Sequence, residues 1–253
     1  MCYFLRFMAN SESNKLAGQV ALVTGAGKRL GKAIALHLAR EGAAVVVHYN
    51  ASQYEAQQVV EEIRQLNRRT IAVQADLASV AQIKQLFAQT EKECGRLDIL
   101  VNSAANFLHT EFLDTTEKIW DASMDVNLKA AFFCAQAAVP LLKLRRGCII
   151  NMADVGGILA WTGYIPHCVS KAGLAMLTRA LAKELAPEIR VNAIAPGTIS
   201  MPGDPHNWEP HYKKLAPLGR TGSPEDVTAA VSFLVNSTFI TGQIVVLDGG
   251  STL

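Results

Sequence analysis

The chain has 253 residues, 50% of them hydrophobic and 18% charged, enough apolar side chains for one large core and too many for a disordered chain. Lys plus Arg number 24 and Asp plus Glu 22, a formal charge of +2 with no basic tract, so nucleic-acid binding has no electrostatic support. Cys2, Cys94, Cys134, Cys148 and Cys168 are scattered without a C-x-x-C pair, which argues against a zinc site or disulfide scaffold and for a reducing cytoplasm.

Residues 1–8 read MCYFLRFM, with Arg6 inside an apolar run that is too short for a signal-peptide core and its cleavage site. With the polar stretch 11–15 they read as an N-terminal extension over residues 1–15, expected to be disordered, with Met8 as a second candidate start. No window holds the about 18 uninterrupted apolar residues of a membrane helix. From residue 16 to 253 short β-rich runs alternate with helical patterns, and strands are expected at 20–24, 44–49, 70–74, 99–102, 148–152, 190–194 and 244–247. These runs are continuously apolar rather than alternating, the pattern of strands buried on both faces of a parallel sheet.

The helical signals lie between the strands. Leu30, Ile34 and Leu38 recur at helical spacing before Gly42; Ser52 with Glu55 and Ser79 with Gln82 have capping-box spacing, and Gly95 closes the second of these helices. Ser223, Pro224 and Glu225 open a last helix with Val227, Val231 and Leu234 on one face. The expected fold is α/β, a single Rossmann-type doubly wound parallel sheet of about seven strands flanked by helices, without repeat or linker. Residues 198–217 hold four prolines with His206, Trp208 and His211, and read as an irregular loop serving as a pocket lid. His206 and His211 lack a third ligand at metal spacing, so no metal is expected.

Thr24-Gly25-Ala26-Gly27-Lys28-Arg29-Leu30-Gly31 falls where the first strand ends and the first helix begins. Glycines there permit a tight turn and close backbone approach, and the helix N-terminus offers N–H groups to a pyrophosphate. An acid at the end of the second strand would bind a ribose 2′-hydroxyl and repel a 2′-phosphate. That strand ends His48-Tyr49-Asn50-Ala51-Ser52, with no acid before Glu55, and Lys28 and Arg29 stand close enough in sequence to pair with a phosphate. NADPH is therefore expected over NADH.

These residues, with Asp76-Leu77, Asn102-Ser103-Ala104, Asn127, Pro196-Gly197 and Asp248-Gly249-Gly250, resemble the short-chain dehydrogenase/reductases from residue 16 to the end. The resemblance implies that Asp76 contacts the adenine, that the Asn102 turn packs under the cofactor, and that Pro196 and Gly197, with Thr198 close by, shape the nicotinamide pocket. Arg29 in place of a family glycine, the His48 stretch, Ala105-Asn106-Phe107, Asp154 where the family usually has Ser, and Trp208-Glu209-Pro210-His211 are similar to the pteridine reductases. On that likeness Phe107 stacks on a flat heterocycle, with Tyr164 and Trp208 as further substrate contacts.

The family's acid–base pair is a Tyr four residues before a Lys. Lys171 is present, but the residue four before it is His167. Asp154 lies thirteen residues before His167, the family's spacing, and Tyr164 is three residues too early, so the phenol is replaced rather than shifted. Lys171 is then expected to hold the nicotinamide ribose, and Asn127 a proton-relay water through its helix. Only a cationic imidazole is a good acid; Asp154 beside it would favour that form and Lys171 would oppose it.

Three readings follow: His167 donates the proton with Asp154 behind it; Asp154 donates to a pterin nitrogen; or the chain binds NADPH without turnover. The leading expectation is an NADPH-dependent reductase of a pterin-like heterocycle or small carbonyl compound, with a 3-oxoacyl thioester as the alternative substrate. The family is usually tetrameric, so a homotetramer is expected, with Phe132, Phe133, Leu174 and Leu177 as interface candidates.

Overall fold

A strand that is apolar on both faces needs a helix layer on each side, and the alternation of strands and helices supplies both. The computed structural model describes residues 14–203 and 209–253. In chain order the elements are β1 (Val20–Val23), α1 (Arg29–Arg40), β2 (Ala44–Tyr49), α2 (Gln53–Gln65), β3 (Thr70–Gln74), α3 (Val80–Cys94), β4 (Ile99–Asn102) and α4 (Glu117–Met124). A π-turn (Asp125–Lys129) leads into α5 (Ala130–Lys143), followed by β5 (Cys148–Met152), α6 (Ile165–Glu184), β6 (Arg190–Pro196), α7 (Glu209–Leu215), α8 (Pro224–Asn236) and β7 (Ile244–Leu247).

The seven strands form one parallel sheet in the order β3-β2-β1-β4-β5-β6-β7, the expected Rossmann-type fold. One apolar layer joins α1, α2 and α8 to the sheet through Ile34, Leu38, Val59, Ile63, Val231 and Leu234. The other joins α3 and α5 through Ile83, Leu86, Cys134, Ala138 and Leu142. The order reverses between β1 and β4, and a crevice at the carboxyl ends of the strands is the usual ligand site at such a switch point.

Burial raises the Cys134 thiol to about 12 and Cys148 to about 11, so both behave as core side chains rather than nucleophiles. Among the described residues no helix is long and apolar enough to cross a membrane, and no three His, Cys, Asp or Glu side chains gather as a metal site would require.

Several local expectations are corrected. The Ser52 side chain makes no cap bond to α2; its Oγ lies instead against the glycine loop, 2.7 Å from where a Cβ on Gly27 would sit. Ser79 accepts from Gln82 N, but the Gln82 amide oxygen accepts from Asp76 N rather than closing a capping box. Within 198–217, Glu209–Leu215 is helical, because Glu209 and Pro210 suit a helix start as well as a loop. Trp208 and His206 lie outside the described residues. Leu174 is buried in its own subunit and is not a surface residue as an interface role requires, whereas Phe133 is partly buried against the core.

α8 opens at Ser223 and Pro224 as expected, and Asp226 closes a capping box with Ser223. Its Oδ2 accepts from Ser223 N at 2.8 Å while Ser223 Oγ accepts from Asp226 N. Replacing Ser223 with Ala should destabilise the protein by about 1 kcal/mol. Urea unfolding checks this, and an unchanged midpoint would show that the cap contributes nothing.

Candidate active site

The glycine loop is shaped by what lies under it. Thr24 Oγ1, just past β1, accepts from Ser103 N at 2.9 Å and Ala104 N at 3.0 Å, tying the exit of β1 to that of β4. A Cβ on Gly25 would stand 2.9 Å from Ala104 Cα, so the turn admits only glycine there. Gly25 N donates to His48 Nδ1 at 3.0 Å, and His48 Nε2 lies 3.0 Å from Ala75 O. An amide can only donate and a carbonyl only accept, so the ring is neutral with its hydrogen on Nε2. Burial pushes its pKa down to about 4 in agreement. His48 was expected among the cofactor contacts; with both ring nitrogens engaged its side chain braces the loop from beneath.

The residues above that brace suit a dinucleotide. α1 opens without a side-chain cap, the arrangement in which first-turn N–H groups can receive a phosphate. Lys28 and Arg29 are exposed there, Lys28 pairing with Glu55 at 2.6 Å. Arg29 adopts φ +48°, the left-handed conformation that favours the family's glycine, and a non-glycine residue holds it at a cost of order 1 kcal/mol. Tyr49 packs partly against the core, Asn50 is exposed and Ser52 half-buried. Asp76 Oδ1 accepts from Ala78 N at 3.0 Å, and Leu77 is buried beside it. Across the crevice Pro196 is buried in β6 and Gly197 N donates to Leu247 O at 2.9 Å, while Thr198 O accepts from Gly222 N.

The other half of the site is carried by α6. A chain of buried amides fixes this helix to the sheet: Asn102 Nδ2 donates to Asn151 Oδ1, Asn151 Nδ2 to Thr178 Oγ1, and Thr178 Oγ1 to Leu174 O, each at 2.9 Å. Lys171 Nζ, on the same helix, donates to Met152 O at 2.7 Å. Burial pulls the Lys171 ammonium down to about 8, with the charge of Asp154 opposing that shift.

One turn before Lys171, His167 is 3% exposed, and neither ring nitrogen has a hydrogen-bond partner among the described residues. Its Nε2 is 3.8 Å from Asp154 Oδ2, within reach of electrostatics but too long for a hydrogen bond. Asp154 is fixed through its other oxygen, which accepts from Gly156 N at 2.7 Å. An unpartnered buried polar group costs about 1–3 kcal/mol, so His167 is built to meet a partner that enters the site.

Phe107 contacts the His167 ring edge-on at 4.7 Å and stacks on Tyr164 at 4.4 Å, so the aromatic face expected for a flat heterocycle rests on Tyr164 here. The segment bearing Phe107 is clamped by Asn127: Oδ1 accepts from Asn106 N at 2.8 Å, and Nδ2 donates to Asn106 O and to Ser170 Oγ. The side chain of Asn127 is thus a clamp between that segment and α6, and its backbone lies in the π-turn, a distortion frequent at functional sites. The structure brings together Asp154, His167, Lys171, Phe107 and Tyr164. Sequence reasoning missed Trp161, whose ring lies parallel to His167 at 6.2 Å, and the partners Asn106, Asn151, Ser170 and Thr178. An aromatic seven residues past Asp154 was the available signal for Trp161.

The depressed Lys171 has a consequence for stability. Between about pH 8 and 10.5 the unfolded chain holds this proton while the folded one has released it, so stability rises with pH across that window. Wild type should therefore gain about 3 kcal/mol relative to Lys171→Met from pH 8 to 10.5. Urea unfolding of both proteins through that range checks this; parallel profiles would mean that the ammonium is not desolvated.

The sequence profile of a family described as enoyl-(acyl carrier protein) reductase matches residues 25–252. A 3-oxoacyl-[acyl-carrier-protein] reductase of Synechocystis is 40% identical over 244 residues, covering 94% of this chain and 98% of that protein. A hydroxynaphthalene reductase-like protein of Metarhizium robertsii is 37% identical over 270 residues, covering 96% and 99%. A short-chain dehydrogenase from Burkholderia cenocepacia, solved in complex with NADP, superposes with a TM-score of 0.89 at 33% identity, covering 94% of this chain and 100% of that one. With the glycine loop, the switch-point crevice and Lys171 in place, this chain belongs to the short-chain dehydrogenase/reductase family.

Proposed function

We propose that the protein is an NADPH-dependent reductase that reduces a polarised double bond held against His167 and Asp154. The observation that carries this reading is the buried His167 imidazole with no hydrogen-bond partner among the described residues, 3.8 Å from a carboxylate and one helical turn from a desolvated lysine. The glycine loop with Lys28 and Arg29 would hold the cofactor and its 2′-phosphate, and Lys171 the nicotinamide ribose. When bound, NADPH supplies a hydride. The chain's own part is to orient the acceptor, exclude water with Phe107, Trp161 and Tyr164, and deliver a proton from His167 Nε2. Asp154 favours the cationic ring that can donate.

For the substrate, the names of the relatives speak for a ketone rather than the pterin anticipated from the subfamily likeness. A 3-oxoacyl thioester is the leading ketone, and the aromatic mouth would also accept a planar cyclic one. A chain that binds NADPH without turnover is the competing reading, favoured only by the loss of the phenol. We extend the proposal to a homotetramer, since Phe132 on α5 and Val169 and Met176 on α6 are 40%, 41% and 59% exposed, apolar surface that further copies would cover. Light scattering should then give four times the chain mass; a monomer would refute the assembly.

The enzymatic reading is checked by NADPH oxidation with an acetoacetyl thioester. Wild type should turn over and His167→Phe should lose about 100-fold or more, the usual contribution of a positioned acid. Turnover should decline as pH rises, with a limb near 8 as Lys171 loses its proton. No turnover by wild type with NADPH still bound, and activity gained by His167→Tyr, would identify a binding protein instead.

A further inference from the structure

The mouth contains more ring surface and more negative charge than a ketone needs. Phe107 and Tyr164 are stacked within 15° of parallel, and Trp161 stands edge-on to both at 6.2 and 6.3 Å. Trp161 lies directly over the turn that holds Asp154. A Cβ on Gly156 would be 2.8 Å from the Trp161 ring and 3.1 Å from Asp154 Oδ1, so the missing side chain is what lets ring and carboxylate approach. The Asp154 side chain is 26% exposed with one oxygen fixed by Gly156 N, leaving the other toward His167. Aromatic faces beside a carboxylate form a recognition site for a cation.

Both departures at this site act in the same direction. Asp in place of Ser adds a negative charge; His in place of Tyr removes the phenol that would protonate a neutral carbonyl. An acceptor that arrives with its positive charge already on nitrogen accounts for both. We propose that the preferred acceptor is a cationic C=N group, a planar cyclic iminium, with Asp154 as its counter-ion and Phe107, Trp161 and Tyr164 as the walls around it. The inference rests on the reductase reading and sets this acceptor ahead of the ketones named above, for which His167 remains the proton donor.

The step balances without a proton donor. Hydride adds to the iminium carbon, the C=N π pair becomes the nitrogen lone pair, and the positive charge leaves the substrate as the cofactor becomes oxidised. A ketone in the same place forms an alkoxide and must take a proton. The other charged groups at the mouth leave room for this cation. Lys171 is buried with its ammonium on Met152 O, and His109 lies 3.7 Å from Glu111, a second carboxylate at the entrance. His109 also meets Tyr164 edge-on at 5.1 Å.

The test uses N-methyl-3,4-dihydroisoquinolinium, a permanent cation, against its neutral isostere 1,2-dihydronaphthalene, by calorimetry on the full chain. NADPH oxidation is then followed with the cation and with 2-tetralone. The cation should bind about tenfold more tightly than the isostere, and Asp154→Asn should abolish that margin. Trp161→Leu, with an unchanged circular dichroism spectrum, should reduce it if the Asn variant does not fold. Equal affinities, or a margin untouched by both variants, overturn the inference. Turnover of 2-tetralone without cation preference overturns it while the reductase reading stands. A bound cation with neither compound oxidising NADPH overturns the reductase reading, and with it the claim that the cation is a substrate.

Discussion

The position of every group at the mouth depends on a buried chain of amides and a hydroxyl: Asn102 at the end of β4, Asn151 in β5 and Thr178 in α6, closed on Leu174 O. It crosses from the sheet to the helix in a region from which water is excluded, where a hydrogen bond unmade costs more than one made contributes. The rotation of α6 is thereby fixed, and with it the direction in which Lys171 and His167 face. Asn127 performs the same service one layer out, holding the Phe107 segment to Ser170.

Against this fixed background His167 is the exception. Asn102 Oδ1, Asn106 Oδ1 and Ser123 Oγ are also buried without a partner among the described residues, but only in His167 are both polar atoms of the side chain left so. Folding tolerates such a group where binding repays it, and one turn on, the Lys171 ammonium is buried with Met152 O as its hydrogen-bond acceptor and the charge of Asp154 in its favour. The glycine loop carries a smaller strain of the same kind, an arginine in a left-handed conformation where its relatives' pattern has glycine.

Much of this was legible from residues alone. The strands were, because burial on both faces leaves an unbroken apolar run; only β1 proved a residue shorter, and β6 two longer through Ala195 and Pro196. Asp154, His167 and Lys171 were picked out by the resemblance to the short-chain reductases, whose catalytic spacing they keep. What escaped depended on pairs distant in the chain. Asn102 and Asn151 are 49 residues apart, and nothing local marks either as a partner. The bracing role of His48 escaped because the sequence does not say which face of β2 lies under the glycine loop. Ser52 has the spacing of a cap, yet the loop above it takes its hydroxyl. The π-turn and the parallel stacking of Trp161 on His167 are tertiary features with no local signature.

The central claim is that the orphaned imidazole of His167 is completed by the ligand. The most direct measurement is nitrogen NMR of the protein labelled at histidine, with NADP bound, as the alcohol 2-tetralol is added. The account predicts that one ring nitrogen of His167, identified by its loss in His167→Phe, shifts in the direction of hydrogen-bond formation while His48 stays fixed in its Nε2–H tautomer. Saturation with ligand that leaves both His167 nitrogens unmoved would contradict it.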